Sequence, residues 1–250
     1  MYETPGYLSA LTLAGTIGIL ALTCVVLYGG AQRAGLGRRR AALLGGGAGV
    51  VLGGWFAAST AIAAAGSYTT QLGKGLPWMA IVPVSVLVAL LAASRIPTVA
   101  RALSAPDMTS RLMLPHTFRV AGGLTFLILM GLGHLPALFA LPAGLGDIAA
   151  GIAAPFVARR LAQGTGHRAA LRFNAFGITD LVVALGLGGL TAFQVINVTP
   201  VNHAISELPL VLIPTVGVPL LLALHIVSTR QLLRAPRTPQ HTANPVVTVN

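Results

Sequence analysis

Charge is what this chain has least of. Of its 250 residues, 8% are Asp, Glu, Lys or Arg, and only five are acidic. A water-soluble domain carries about 25% charged residues. With 55% hydrophobic residues and a mean hydropathy of +0.82, the chain has too little polar surface to cover a globule in water. The same numbers exclude a disordered chain. A single cysteine, Cys24, excludes a disulfide scaffold. Lys74 is the only lysine and lies in no apolar run, so a retinal Schiff base is excluded as well. The composition predicts an integral membrane protein.

The net charge of +11 raises the question of nucleic acid. The fifteen arginines do not form a patch, however. They fall in short clusters between long apolar runs, as orientation signals do, so no nucleic-acid partner is expected. The first apolar run lacks a basic residue before it and is longer than a signal-peptide core. It reads as a retained helix with Cys24 as an inert packed thiol.

A transmembrane helix needs about 20 apolar residues to cross a core of about 30 Å. Seven segments meet or approach that length: Tyr7–Tyr28, Ala41–Ala65, Leu76–Ala93, Phe118–Gly133, Ala137–Ala158, Phe173–Val195 and Leu208–Thr229. The expected architecture is all-α, a polytopic bundle of seven transmembrane helices over residues 1–234, followed by a disordered cytoplasmic tail at 235–250. Arginines cluster after the first, third, fifth and seventh segments, and Arg119 is counted with them at the entrance of the fourth. Glu3, Lys74 and Glu207 fall on the other side. The positive-inside rule then puts the N-terminus outside and the C-terminus in the cytoplasm. Residues 94–117 read as a cytoplasmic loop with room for an amphipathic surface helix. A three-plus-one-plus-three sugar-transporter plan shares the topology, but the halves do not match in motif, and the Pro-Gln pair of that family occurs only at Pro239–Gln240.

The second segment carries Gly45, Gly49, Gly53, Ala57, Ala61 and Ala65, one small residue every four positions along one face. In lipid such a ridge lets another backbone come close. Packing inside the bundle is the first expectation. A homo-oligomer or a membrane-protein partner through Gly45, Gly49 and Gly53 is the second.

Ionisable groups in hydrocarbon are costly and point to sites. The spans hold Asp147, Asp180 and His225, with Arg119 and Asn174 near the inner boundary. Asp147 faces a groove of Ala143, Gly144, Ala150 and Gly151, near the midplane. Asp180 is expected about 12 Å, and His225 about 7 Å, from the inner end. Asn174 lies about 120° around its helix from Asp180 and is not assumed to join it. These five residues form the candidate site for a small solute, a proton or another cation, with Arg119, Asp180 and His225 together and Asp147 deeper. The alternative is interhelical hydrogen bonding alone.

Gly144-Leu145-Gly146-Asp147 spells the GxGD pattern of intramembrane aspartyl proteases, and Pro136-Ala137-Leu138 resembles their PAL motif. The order is reversed: in the presenilin-like family the partner Asp precedes GxGD and PAL follows it. Asp107, the counterpart in the prepilin-peptidase branch, is a loop residue far from Asp147 in depth. No catalytic residue is assigned on this basis. Haem is not expected, because His116, His134 and His225 offer no pair at matched depth. His134, His203 and Glu207 lack zinc-site spacing, so no metal is expected either.

Arg119-Val120-Ala121-Gly122-Gly123, Leu135-Pro136, Phe139 to Asp147, Asn174 to Leu181 and Leu208 to Pro214, continuing to Leu224-His225, resemble a family of small bacterial seven-helix membrane proteins. The resemblance covers residues 115–230. It implies no activity, cofactor or substrate, only that Arg119, Asp147, Asn174, Asp180 and His225 sit in the recognisable part. With an Arg-over-Lys bias, it places the chain in a bacterial inner membrane. The expected function is binding or transport of a small solute or proton through an intramembrane polar site. The alternatives are a structural or assembly partner and, third, an intramembrane protease.

Overall fold

The computed structural model describes residues 5–69 and 76–234, and the expected tail at 235–250 lies outside them. The described residues are helical with no strand. In chain order the helices are α1 (Gly6–Arg33), α2 (Arg38–Ala64), α3 (Trp78–Ala93), α4 (Pro97–Leu103), α5 (Met108–Arg111), α6 (Arg119–Gly131), α7 (Ala137–Ala162), α8 (His167–Ala192) and α9 (Val218–Arg234). Six helical stretches are long and apolar enough to cross a membrane: α1, α2, Met108–Gly131, α7, α8 and Ile213–Arg234. A seventh is added if α3 and α4, bent by 86° at the break, count as one span.

Three departures from the sequence expectation position the site. First, residues 94–117 are not a solvated loop. Ala102, Leu103, Met108, Leu112, Met113 and His116 are all buried. Enough apolar side chains lie between the prolines for this stretch to fold into the bundle. Second, α8 starts at His167, six residues before the expected Phe173. The link from α7 shrinks to four residues, 163–166, turned by Gly164 and Gly166 at φ +75° and +94°, a region open chiefly to glycine. Third, Ile213–Gly217 winds as one π turn before α9. Pro214 lacks the N–H that an α-helical turn would use.

The π turn is pinned from α2. The Trp55 indole N–H donates to the Thr215 carbonyl at 3.0 Å, and the Ser59 and Thr215 hydroxyls are 2.8 Å apart. The Tyr68 hydroxyl joins Ser59 at 3.0 Å. Burial pushes the Tyr68 phenol above its ordinary pKa, which keeps it a neutral hydrogen-bonding group. Beyond the turn, residues 218–225 are buried on every side, as a central helix hydrophobic all round should be.

The small-residue ridge of α2 is not inside the bundle. Gly45 alone packs tightly: a methyl group there would lie 2.9 Å from the Tyr28 Cβ. Gly49, Gly53, Ala57, Ala61 and Ala65 are exposed. The buried face of α2 is set instead by Ala41, Gly45, Leu52 and Ser59, because the hydrogen bonds of Ser59 and Trp55 to the π turn fix its rotation.

Candidate functional site

The site begins with a short helix. α6 has 13 residues, about 20 Å, where α7 has 26 residues, about 39 Å. The two share the turn at residues 132–136, with Gly133 at φ +76°. Arg119, the first residue of α6, is therefore about as far from that turn as Asp147 is on α7. The expectation that Arg119 marks a membrane boundary is corrected: it is 2% exposed, deep between helices. The chain at 108–118 fills the space that the missing half of α6 leaves.

One guanidinium serves two carboxylates. The Arg119 Nε–H donates to Asp147 Oδ1 at 2.7 Å. Its Nη2 makes a close ion pair with Asp180 Oδ2. Asp180 lies 13 residues into α8, about 20 Å, deeper than the expected 12 Å because α8 starts early. Asp147 is thus a direct partner and not a separate, deeper group. Glycines make the approach possible. A Cβ on Gly146 would overlap the Asp180 carboxylate, and one on Gly123 would lie 2.5 Å from the Gly144 carbonyl oxygen. The third guanidinium nitrogen, Nη1, is buried without a partner among the described residues.

His225 does not join this triad. It sits nine residues before the end of α9, about 14 Å, not 7 Å. Its Nδ1 is 2.8 Å from Asn174 Oδ1, while the Asn174 amide donates to Ser228 Oγ at 3.0 Å. Since that amide is already a donor, Oδ1 accepts and His225 Nδ1 carries the proton. Asn174 is not in the cluster of Asp180; it joins His225 and Ser228, because α9 lies against that second face of α8. His116, expected at the boundary, is buried and rests ring on ring with His225, centroids 3.8 Å apart. The expectation that no two histidines pair at matched depth is corrected. The stack leaves no gap between the rings for a haem plane. His225 Nε2 and His116 Nδ1 have no partner among the described residues. Two imidazolium cations would repel in such a stack, so at most one ring is charged.

Next to this cluster on α9, the Thr229 hydroxyl donates to the His225 carbonyl at 2.8 Å. The Gln231 amide donates to the Leu103 carbonyl at 2.7 Å, and Thr109 donates to Gln231 at 2.8 Å. On the other side of the triad is a cavity of about 240 Å³. Asp147 lies in its wall with Phe126, Phe139, Phe193, Ile205 and Pro214. A small void of about 20 Å³ adjoins Arg119, Asp147, Thr12 and Thr16, enough for one water. No group of three or more metal-ligating side chains occurs among the described residues.

The sequence reading missed three members of this arrangement: His116, Ser228 and the π turn. The pairing of His116 and His225 had no signal in local spacing, since they lie 109 positions apart and meet only because residues 108–118 turn inward.

No curated protein and no solved structure matches this chain. Residues 76–233 match a family described as a domain of unknown function, DUF8737. The matched region begins before the 115–230 of the sequence resemblance and takes in α3 to α5 as well as the triad and the histidine cluster. It covers well over half of the chain, which therefore belongs to the DUF8737 family.

Proposed function

We propose that this protein takes up a proton or a small cationic solute at the triad of Arg119, Asp147 and Asp180 and passes it across a bacterial cytoplasmic membrane. The observation that carries the reading is the charge count. Two carboxylates share one guanidinium in an apolar bundle, leaving one negative charge unbalanced. An uncompensated charge in that setting is costly, and a bound proton or cation removes the cost. His225, His116, Asn174 and Ser228 form a second polar cluster, which supports a route toward the arginine-rich end. The cavity beside Asp147 supplies room on the other side. In the proposed orientation the N-terminus is outside and the C-terminus cytoplasmic, since the thirteen described arginines other than the buried Arg119 follow the helix alternation to one end.

The test is acid-driven uptake in liposomes loaded with a pH-sensitive dye. Wild-type protein is expected to acidify the lumen faster than empty vesicles, and Asp147→Asn and Asp180→Asn to lose the effect while still folding. If both variants fold and uptake is unchanged, the triad is not a proton site. If neither folds, the carboxylates are structural.

A second reading has its own observation. The exposed face of α2, with Gly49 and Gly53, is a smooth apolar surface of the kind that packs against another transmembrane helix. As an assembly factor, the protein would carry a stoichiometric companion or a second copy after gentle extraction, and Gly49→Leu would release it. A protease fits less well: the guanidinium lies against both carboxylates, where an aspartyl dyad shares a proton and a water.

A further inference from the structure

The cavity beside Asp147 has a shape and a chemistry of its own. Its volume is about 240 Å³, below the roughly 300–1,000 Å³ of drug-sized sites, so an occupant is small. Asp147 is the one ionisable side chain in its wall. Phe139 lies eight residues before it on the same helix, about 12 Å away, and packs edge-on against Phe126 at 5.1 Å. One end is thus anionic and the other aromatic. Asp147 itself is 6% exposed, and Arg119 is the one described residue that donates a hydrogen bond to its carboxylate. The cavity reaches the surface between α3 and α8, where Ala80, Val84 and Gly186 are exposed among its lining residues. Those exposed residues are apolar, so on the proposed membrane reading the opening meets lipid and not water.

We propose that this cavity binds a small arylalkyl ammonium ion, its cationic head on the Asp147 carboxylate and its ring against Phe126, Phe139 and Phe193. The inference rests on the proposed function and names the solute for that site. The charge argument selects a cation, because Asp147 and Asp180 together exceed Arg119 by one negative charge. The apolar walls select a cation with a hydrocarbon body. Aromatic rings at the far end favour a flat ring over a branched chain. Binding to the protonated triad is an exchange: the ammonium ion enters, the carboxylic proton leaves to solvent, and the net charge at the site stays zero. The charged groups facing that carboxylate are Arg119 on α6 and, through Arg119, Asp180 on α8; His225 on α9 and His116 before α6 form a separate pair.

The test is calorimetry on purified full-length protein in detergent, with 2-phenylethylamine, its neutral analogue n-propylbenzene, and methylammonium as a cation without a ring. Saturable binding of 2-phenylethylamine is expected, with neither comparison compound competing. Repeating the titration in buffers of different ionisation enthalpy should show proton release with the amine. Asp147→Asn should weaken binding by about thirtyfold or more, the effect of removing one member of a buried charge pair. Gly188→Leu crowds the aromatic end of the cavity at Phe139, about 12 Å along α8 from Asp180, and should abolish amine binding whether or not the Asn variant folds. Equal binding of n-propylbenzene, or no binding of the amine, overturns the proposal. Acid-driven proton uptake that persists while the amine fails to bind leaves the proton reading standing and removes only this solute class.

Discussion

Asp180 reaches Arg119 directly across Gly146, so closely that a methyl group at Gly146 would occupy the place of the carboxylate. The contact joins α7 to α8 through the absence of a side chain. Gly146→Ala should therefore act as a mutation of Asp180 without changing Asp180. The displaced carboxylate loses its cation while remaining in the bundle. That is costlier than neutralising it, on the order of 3–5 kcal/mol. The expected outcome is a lower thermal midpoint for Gly146→Ala than for Asp180→Asn, with proton uptake lost in both. A Gly146→Ala protein as stable as wild type would mean that Asp180 has another place to go.

Arg119 should be the least replaceable residue of the site. Arg119→Leu strips two carboxylates of their partner and should destabilise by at least about 3–5 kcal/mol, as removing one member of a buried pair does. Adding Asp147→Asn and Asp180→Asn should recover much of that loss, because the uncompensated charges go with the guanidinium. Chemical denaturation of the single, double and triple variants in one detergent measures the coupling. If the triple variant is no more stable than Arg119→Leu, the three side chains are not energetically linked.

The helical class of the chain was legible because 55% hydrophobic content and long uncharged runs leave few alternatives. The five polar residues singled out by their cost in an apolar run were also legible, and all five are in or beside the two clusters. Their pairing was not. Reading Arg119 as a boundary charge assumed that the apolar stretch starts beside it, whereas the helical stretch already begins at Met108 and the chain before α6 is largely buried. Grouping His225 with Arg119 and Asp180 assumed one buried polar face for α8, whereas α9 sets His225 against Asn174 on a second. The ridge on α2 failed for a related reason: spacing shows that small residues share a face, but hydrogen bonds from Trp55 and Ser59 decide which way that face turns.

Asn174 holds the ring of His225 in place, and its role is separable from its size. Asn174→Leu leaves the Nδ1 proton of His225 buried without an acceptor, a loss of about 1–3 kcal/mol. Asn174→Asp keeps the acceptor and should be milder. If the histidine pair lies on the proton route, the Leu variant should slow acid-driven uptake more than its change in stability accounts for. Comparing uptake rate with thermal midpoint across the two variants separates transport from folding. Loss of both in parallel assigns the cluster to packing.

Orientation can be read from two positions that bracket α8. Gln163 lies in the four-residue link between α7 and α8 and is exposed. Val195 lies just past the other end of α8 and is also exposed. Arg159, Arg160, Arg168 and Arg172 flank the first position, while the second has no basic neighbour in sequence. The short α3, 16 residues and about 24 Å, leaves the count of crossings at six or seven, but these two sites depend only on α8 itself. In a Cys24→Ser background, Val195→Cys should react with an impermeant maleimide on intact cells. Gln163→Cys should react only after the membrane is opened, because arginine clusters stay on the cytoplasmic side. The reverse pattern would invert the molecule, and labelling of both sites on intact cells would remove α8 from the membrane altogether.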